Sequence, residues 1–157
     1  MSKTTRATQA LDKAGVGYTL HSYDYDPHAD KIGMAAAESL GVSASIVLKT
    51  LMALVDGKPA CVILPSDREV SMKKLAAALG GKSAQMMKPA DAERLTGYHV
   101  GGISPFGQKR AIPTVMEQSA LAAPRVFLNG GQRGLQVEAD PTQILTALKA
   151  VAAAVAD

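Results

Sequence analysis

The chain has 157 residues, 47% of them hydrophobic and 20% charged, which indicates one globular domain covering residues 1–157. Aromatic residues make up 4%, with no tryptophan, which excludes a broad aromatic platform for stacking bases. A net charge of +3 suits a nucleic-acid partner without requiring one. The single cysteine forms no internal disulfide, and no secretory signal or apolar run of ~20 residues is visible, so we expect a cytoplasmic protein with no membrane partner.

The first half of the chain is predicted to contain short helices and a hairpin. Thr4 or Thr5 caps a helix that ends at Gly15, and residues 18–25 alternate as a strand. A short helix is predicted over residues 33–40. Two apolar runs, residues 46–55 and 60–64, then surround Asp56-Gly57, which is the pattern of an antiparallel hairpin.

The second half mixes the same elements. Ser71 caps a helix through Leu79, a weak strand lies near residues 83–87, and another helix covers residues 89–96. Candidate strands cover residues 111–116, 125–129 and 135–138, and Asp140-Pro141 opens a final helix to about residue 156. Hairpins mixed with helices predict an α+β fold with a mostly antiparallel or mixed sheet.

Lys49 is the most informative single residue, because it interrupts a strand that is apolar on both faces. Its own face carries Val47, Leu51, Ala53 and Val55, and the other carries Ile46, Leu48, Thr50, Met52 and Leu54. Burying an ammonium group is costly unless it is paired or opens on a cleft. Two interpretations stay open: a lysine in a cleft, or one near the strand start whose amine reaches water.

Two glycine-rich turns are the other candidates. In residues 101–107, paired glycines let backbone N–H groups converge on an anion or a polarised carbonyl, although an ordinary connection is the simpler interpretation. Residues 129–134 form a similar turn, whose default interpretation is a hairpin. Two such turns beside a cleft lysine would make a pocket for an anionic ligand.

Other catalytic patterns are missing from the sequence. There is no Gly-x-Ser-x-Gly elbow, and Cys61 lies in an apolar strand where a buried, inert thiol is expected. Asp24, Asp26 and His28 alternate as metal ligands could, but a solvated loop explains them better. We expect no metal and no cofactor.

Several segments together resemble a known family. They run in order over nearly the whole chain: residues 21–23, 40–41, 48–51, 71–74, 96–109 (TGYHVGGISPFGQK) and 130–135. The chain resembles the bacterial Cys-tRNA(Pro) deacylases of the YbaK/EbsC type, in the superfamily that includes the editing domain inserted in prolyl-tRNA synthetase. The resemblance implies a single domain of three layers, with a bifurcated, mostly antiparallel mixed sheet flanked by helices.

The resemblance also implies a function and a site. The function is trans-editing, the removal of an amino acid wrongly attached to tRNA(Pro), with Lys49 and Gly101 as the catalytic residues. The implied substrate-binding residues are Tyr23, Ile32, Thr50, Gly102, Ile103, Ser104, Asn129, Gly130 and Gln136. The implied partners are the tRNA(Pro) acceptor end and prolyl-tRNA synthetase, with no DNA.

The mechanism that the resemblance suggests needs no protein nucleophile. The thiol of the cysteinyl group attacks its own ester carbonyl, and the enzyme orients the substrate and stabilises developing charge. Ile32, Asn129 and Gln136 depart from the family pattern. The alternatives are therefore a deacylase for Ala-tRNA(Pro) or other small residues, or a non-catalytic module that binds tRNA or the synthetase.

Overall fold

The secondary structure follows the predicted order, apart from the C-terminal segment. A computed structural model describes residues 4–25 and 32–157, with Ile32 described by its backbone alone. The helices are α1 (Arg6–Ala14), α2 (Ile32–Leu40), α3 (Met72–Ala78), α4 (Pro89–Thr96) and α5 (Pro141–Leu148). The strands are β1 (Tyr18–Ser22), β2 (Leu48–Val55), β3 (Lys58–Pro65), β4 (Ala84–Met86), β5 (Thr114–Glu117), β6 (Val126–Asn129), β7 (Leu135–Ala139) and β8 (Val151–Ala153). None of the described helices is long and apolar enough to cross a bilayer.

Local side-chain caps set the helix ends. Thr5 Oγ1 accepts a hydrogen bond from the Thr8 amide at 3.1 Å where α1 begins, and Gly15 ends α1 with a φ of 74°. Ser71 Oγ likewise accepts from the Lys74 amide at 3.2 Å where α3 begins. These predicted helix boundaries are confirmed.

β2 and β3 form the predicted antiparallel hairpin. Val55 lies opposite Lys58, and Lys49 lies opposite Leu64. Asp56 and Gly57 both have positive φ, 50° and 80°, as a two-residue type I′ turn requires.

The strands form a split sheet. One part has the order β4-β2-β3-β5-β8, and the other has the order β1-β7-β6. The pairs β3–β5 and β5–β8 are parallel, and the other strand pairs are antiparallel. A parallel bridge between Val47 and Phe127 joins the two parts. The predicted α+β class with a bifurcated, mostly antiparallel mixed sheet is confirmed.

β2 is buried on both faces, as its sequence predicts. Met52 packs into a core cluster with Leu11 of α1 and Val137 of β7. Ala53 packs into a second cluster with Leu75 of α3. Burial of such side chains contributes about 1.5–3 kcal/mol each, so the strand that carries Lys49 is firmly held.

Cys61 lies in the middle of β3 and is 1% exposed. Burial raises the pKa of its thiol to about 12, although hydrogen bonds with Thr114 and Gln108 work against the rise. The thiol is therefore protonated and inaccessible, as predicted.

The predicted final helix is wrong in its second half. α5 ends at Leu148, and Lys149 turns the chain with a φ of 53°. Val151–Ala153 then forms β8, which pairs in parallel with β5. The alanine-rich sequence favours a helix locally, but pairing with the free edge of β5 outweighs that preference.

Several predicted strands are also shorter than expected, most clearly two in the first half of the chain. The strand predicted over residues 18–25 ends at Ser22. The strand predicted from residue 46 begins at Leu48, because Ala44–Ile46 forms a 3-10 turn. Ser43 caps this turn, and its Oγ accepts a hydrogen bond from the Ser45 amide at 3.2 Å.

Glu117, at the end of β5, fixes the C-terminal segment. It is 2% exposed, and its carboxylate accepts hydrogen bonds from the amides of Ser119, Val155 and Ala156 at 2.7, 3.1 and 3.3 Å. Burial acts to raise the pKa of this carboxyl, but the hydrogen bonds outweigh burial and lower it. The charged form is therefore the one that the fold stabilises.

Glu117→Gln is expected to lower the free energy of unfolding by about 2 kcal/mol at pH 7, because it removes charged hydrogen bonds. A lowered pKa means that this stabilisation is complete above the unfolded-state pKa and is lost as the pH falls through the folded-state pKa. The variant should therefore lose less stability than wild type under acidification. Urea unfolding at several pH values checks this, with exposed Glu38→Gln as control. An identical acid dependence in Glu117→Gln and wild type would contradict it.

Candidate active site

A cleft of about 480 Å³ opens beside the start of β2. Its walls come from distant parts of the chain: β2, the segment after β3, the start of α4, the loop before Ile103, and the facing ends of β6 and β7. The lining residues are Tyr23, Gly33, Leu48, Lys49, Thr50, Leu51, Met52, Ser66, Glu69, Met86, Met87, Pro89, Ala92, Val100, Gly101, Ile103, Asn129 and Gln136. A cleft of this size holds one small organic ligand.

Lys49 lines this cleft as the second residue of β2. Its side chain is 21% exposed, and its Nζ lies 3.9 Å from Oε1 of Glu69, whose side chain is 67% exposed. A contact so long and so exposed to solvent contributes little energy. Both interpretations of Lys49 therefore hold: the residue lies near the start of β2, and its side chain lines a cleft.

The backbone before Gly101 is anchored by side chains from separate elements. Glu93 of α4 accepts a hydrogen bond from the Val100 amide at 2.8 Å, and Nε of Arg133 donates to the Val100 carbonyl at 3.0 Å. Nδ2 of Asn129 donates to the Gly101 carbonyl at 3.1 Å. This peptide segment is thus fixed on both sides of Gly101.

The Gly101 amide itself donates no hydrogen bond within the part of the chain that the structure describes. Gly101 has a φ of 91°, and a Cβ built there would lie 2.6 Å from the Tyr25 hydroxyl. Both facts require glycine at this position. A rigidly held N–H group at a cleft wall is suited to a substrate oxygen.

Three buried oxygen atoms in the cleft wall lack hydrogen bonds within the described residues. They are the Tyr23 hydroxyl, Oγ1 of Thr50 and Oε1 of Gln136. Burial raises the pKa of the Tyr23 phenol, and the nearby Gln136 amide partly offsets this rise without a well-formed hydrogen bond between the two residues. Buried polar atoms are costly when unpaired, so these atoms point to a polar ligand.

The structure brings most of the predicted site residues together. Tyr23, Lys49, Thr50, Gly101, Ile103, Asn129 and Gln136 all line the cleft. The Ile32 side chain lies outside the described residues, as do Asp26 and His28 of the weighed metal pattern. The described residues contain no cluster of three or more metal-ligating side chains.

Three predicted residues lie outside the cleft lining. Ser104 is fully buried, and its Oγ accepts a hydrogen bond from the Phe106 amide at 3.0 Å. The Gly130 amide donates to the Leu135 carbonyl at 2.8 Å within the hairpin. A Cβ on Gly102 would lie 2.9 Å from the amide nitrogen of Arg133. Gly102 therefore packs closely against the second glycine turn, whereas Ser104 and Gly130 each form a hydrogen bond within their own turn.

The sequence analysis missed other members of the site, among them Ser66, Glu69, Met86 and Val100. The hairpin register could have pointed to Ser66 and Glu69. Lys49 lies opposite Leu64, so the segment that follows β3 passes beside Lys49. Ser66 is 2% exposed and donates its hydroxyl hydrogen bond to the Val47 carbonyl, so its role is to brace the start of β2.

Comparison with known proteins gives the family. Residues 26–147 match the family model described as an aminoacyl-tRNA editing domain, which is most of the chain. The chain belongs to the aminoacyl-tRNA editing domain family. This editing protein is 33% identical over 144 residues to an Enterococcus faecalis protein named "Putative Cys-tRNA(Pro)/Cys-tRNA(Cys) deacylase EbsC", covering 90% of the chain and 87% of the relative.

Solved structures share the fold of this editing domain. The hypothetical protein APE2540 is 25% identical with a TM-score of 0.86, and the match covers 98% of this chain and 100% of that one. A protein described as a "putative trans-editing enzyme for prolyl tRNA synthetase" is 21% identical with a TM-score of 0.85, and the match covers 99% of each chain. The editing domain fold is therefore present over the full described length.

Proposed function

We propose that this editing protein removes cysteine from mischarged tRNA(Pro). The observation that carries the proposal concerns Gly101, which lines a cleft that also contains Lys49 and whose amide finds no acceptor among the described residues. The sequence relationship to a protein named for Cys-tRNA(Pro) and Cys-tRNA(Cys) deacylation supports the choice of substrate. Prolyl-tRNA synthetase is the proposed partner that delivers the tRNA.

The residues of the cleft favour a reaction without a protein nucleophile. Its described lining contains no histidine or cysteine, and Glu69 is the carboxylate in it. Ser66 uses its hydroxyl to bond the Val47 carbonyl and is not activated by a neighbouring base. The substrate's own thiol is therefore the proposed nucleophile.

In the proposed step the cysteinyl sulfur bonds to the ester carbonyl carbon, and the ester C–O bond then breaks. The thiol proton passes to the departing ribose hydroxyl, so that the products are free tRNA and a cysteine thiolactone that water later opens. Gly101 N–H and the Lys49 ammonium stabilise the negative charge on the carbonyl oxygen. The cleft holds the sulfur near the carbonyl carbon.

The unpaired oxygens of Tyr23, Thr50 and Gln136 are proposed to receive the α-ammonium group of the aminoacyl substrate. An ammonium group donates three hydrogen bonds and accepts none, and the Gln136 carbonyl oxygen can act only as an acceptor. The two hydroxyls can turn their protons away and accept as well. This arrangement would satisfy three atoms that have no hydrogen-bond partner in residues 4–25 and 32–157.

Gln136→Leu is expected to raise KM for Cys-tRNA(Pro) about tenfold, because the ammonium loses one buried acceptor. The KM for Nα-acetyl-Cys-tRNA(Pro), which has no ammonium, should change much less. Steady-state deacylation of both substrates checks this, with exposed Gln118→Leu as control. An equal rise in KM for the two substrates would contradict the assignment of Gln136.

Deacylation of a panel of charged tRNAs tests the function. Cys-tRNA(Pro) and Ser-tRNA(Pro) differ by one atom, sulfur against oxygen, so thiol-assisted cleavage predicts rapid release of cysteine and slow release of serine. Equal rates for the two would reject that mechanism. Faster release from Ala-tRNA(Pro) would favour the small-residue deacylase, and tight binding without turnover of any member would favour the binding module.

A further inference from the structure

A second cavity of about 400 Å³ lies on the other side of α4 from the cleft. Pro89 and Ala92 of α4 line the cleft, whereas Asp91, Arg94 and Leu95 line the second cavity. Met87 lines both, so a single side chain forms part of the wall between them. We call this second cavity the basic groove.

The basic groove carries excess positive charge. Arg94 bonds Asp91, but Lys109 and Arg110 are exposed and form no ion pair within the described residues. Arg6 places a further cation near Lys109, beside Gly97, the residue that ends α4. A Cβ built on Gly97 would lie 2.5 Å from a guanidinium nitrogen of Arg6 and 3.0 Å from Cγ of Lys109.

The floor of the basic groove is apolar, formed by Leu54, Pro59, Met87 and Leu95. Lys109 and Arg110 repel each other and gain no ion pair from the described residues. A polyanion with flat sugar and base surfaces satisfies both features, because phosphates pair with the cations and ribose packs on the floor. This chemistry describes a nucleic-acid strand better than a free anion.

We infer that the basic groove binds the phosphate backbone of the tRNA acceptor stem next to the aminoacylated end. This inference rests on the proposed function, because the cleft of about 480 Å³ has room for the terminal aminoacyl nucleoside and little more. The nucleotides before it must leave the cleft across a neighbouring surface. The basic groove begins at the shared Met87 wall and has the matching charge.

The test uses a double variant that carries both Lys109→Gln and Arg110→Gln. Its matched control carries both Lys13→Gln and Lys73→Gln. Both pairs remove two positive charges from exposed positions, and Lys13 and Lys73 line neither cavity. Binding of uncharged tRNA(Pro) is measured over a range of salt concentrations. Deacylation is measured on Cys-tRNA(Pro) and on the cysteinyl ester of adenosine, which has no phosphate.

The groove variant should bind uncharged tRNA about tenfold more weakly at ~0.15 M salt, with a salt slope reduced by about two. Its kcat/KM for Cys-tRNA(Pro) relative to the adenosine ester should fall by the same factor. The control pair should change neither quantity beyond a small general charge effect.

Equal effects of the two double variants would overturn the inference, as would an equal loss of activity on tRNA and on the adenosine ester. A variant that binds free tRNA normally but no longer responds to added prolyl-tRNA synthetase would also overturn it, and would assign the groove to the synthetase. The binding measurement uses uncharged tRNA, so it separates this inference from the proposed deacylation. If wild type deacylates no substrate, a groove-specific loss of tRNA binding still supports the groove.

Discussion

Lys49→Ala is expected to slow deacylation of Cys-tRNA(Pro) by about 10²–10³-fold, the usual effect of removing one donor that stabilises a developing oxyanion. The Lys49 side chain is mostly buried in the cleft wall, where its charge acts more strongly than it would in water. The loss should appear in kcat/KM for the adenosine ester as well as for tRNA. That common loss separates Lys49 from the cations of the basic groove.

The fold should tolerate this change. The ion pair with Glu69 is long, at 3.9 Å, and the Glu69 side chain is 67% exposed. Loss of this pair therefore lowers the free energy of unfolding by at most about 1 kcal/mol. Thermal unfolding should therefore place Lys49→Ala close to wild type, and exposed Lys73→Ala should keep both stability and activity. A folded Lys49→Ala enzyme with the wild-type rate would remove Lys49 from the proposed mechanism.

Gly101→Ala should lower the rate of deacylation about 100-fold or more, because the backbone at this position is suited to glycine. The φ of 91° suits glycine, and the added Cβ would lie 2.6 Å from the Tyr25 hydroxyl. Tyr25 would have to give up its contact with Arg133, whose guanidinium carbon lies 5.3 Å from the Tyr25 ring centroid and whose Nε bonds the Val100 carbonyl. Strain at the positive φ also moves the loop, and a shift of about 1 Å at a catalytic donor can cost two orders of magnitude.

Gly15→Ala is the matched control for Gly101→Ala. Gly15 has a similar φ of 74°, but a Cβ there meets no atom within 4 Å. Both variants should lose about 1–2 kcal/mol of stability from backbone strain. Only Gly101→Ala should lose activity, as measured by unfolding and by deacylation of Cys-tRNA(Pro). Comparable activity in the two variants would show that the position of the Gly101 amide does not matter.

Much of the fold could be predicted from the sequence because it depends on neighbours along the chain. The caps at Thr5 and Ser71 each bind an amide three residues ahead, and the Asp56-Gly57 turn determines the hairpin register. Lys49 could be singled out because an ammonium group conflicts with a strand that is apolar on both faces. The physics behind these predictions is local.

The rest of the structure depends on contacts between distant residues. β8 forms because β5 offers a free edge, which no pattern near residue 151 reveals. The Val100–Gly101 segment is held by Glu93, seven residues before it, and by Arg133, thirty-three residues after it. Which glycines face the cleft and which pack inside the loops follows from these anchors. Sequence could identify the loop but not its orientation.

The buried state of Cys61 has a practical consequence for studying the reaction. It is the only cysteine of the chain, and burial raises its pKa to about 12, so a thiol-alkylating reagent finds no reactive target on the folded protein. Such a reagent can be added while turnover is under way, where it modifies the sulfur of the cysteinyl ester and of released cysteine but leaves the buried Cys61 untouched. An arrest of the reaction at that moment can then be assigned to the substrate's sulfur and not to damage to the enzyme.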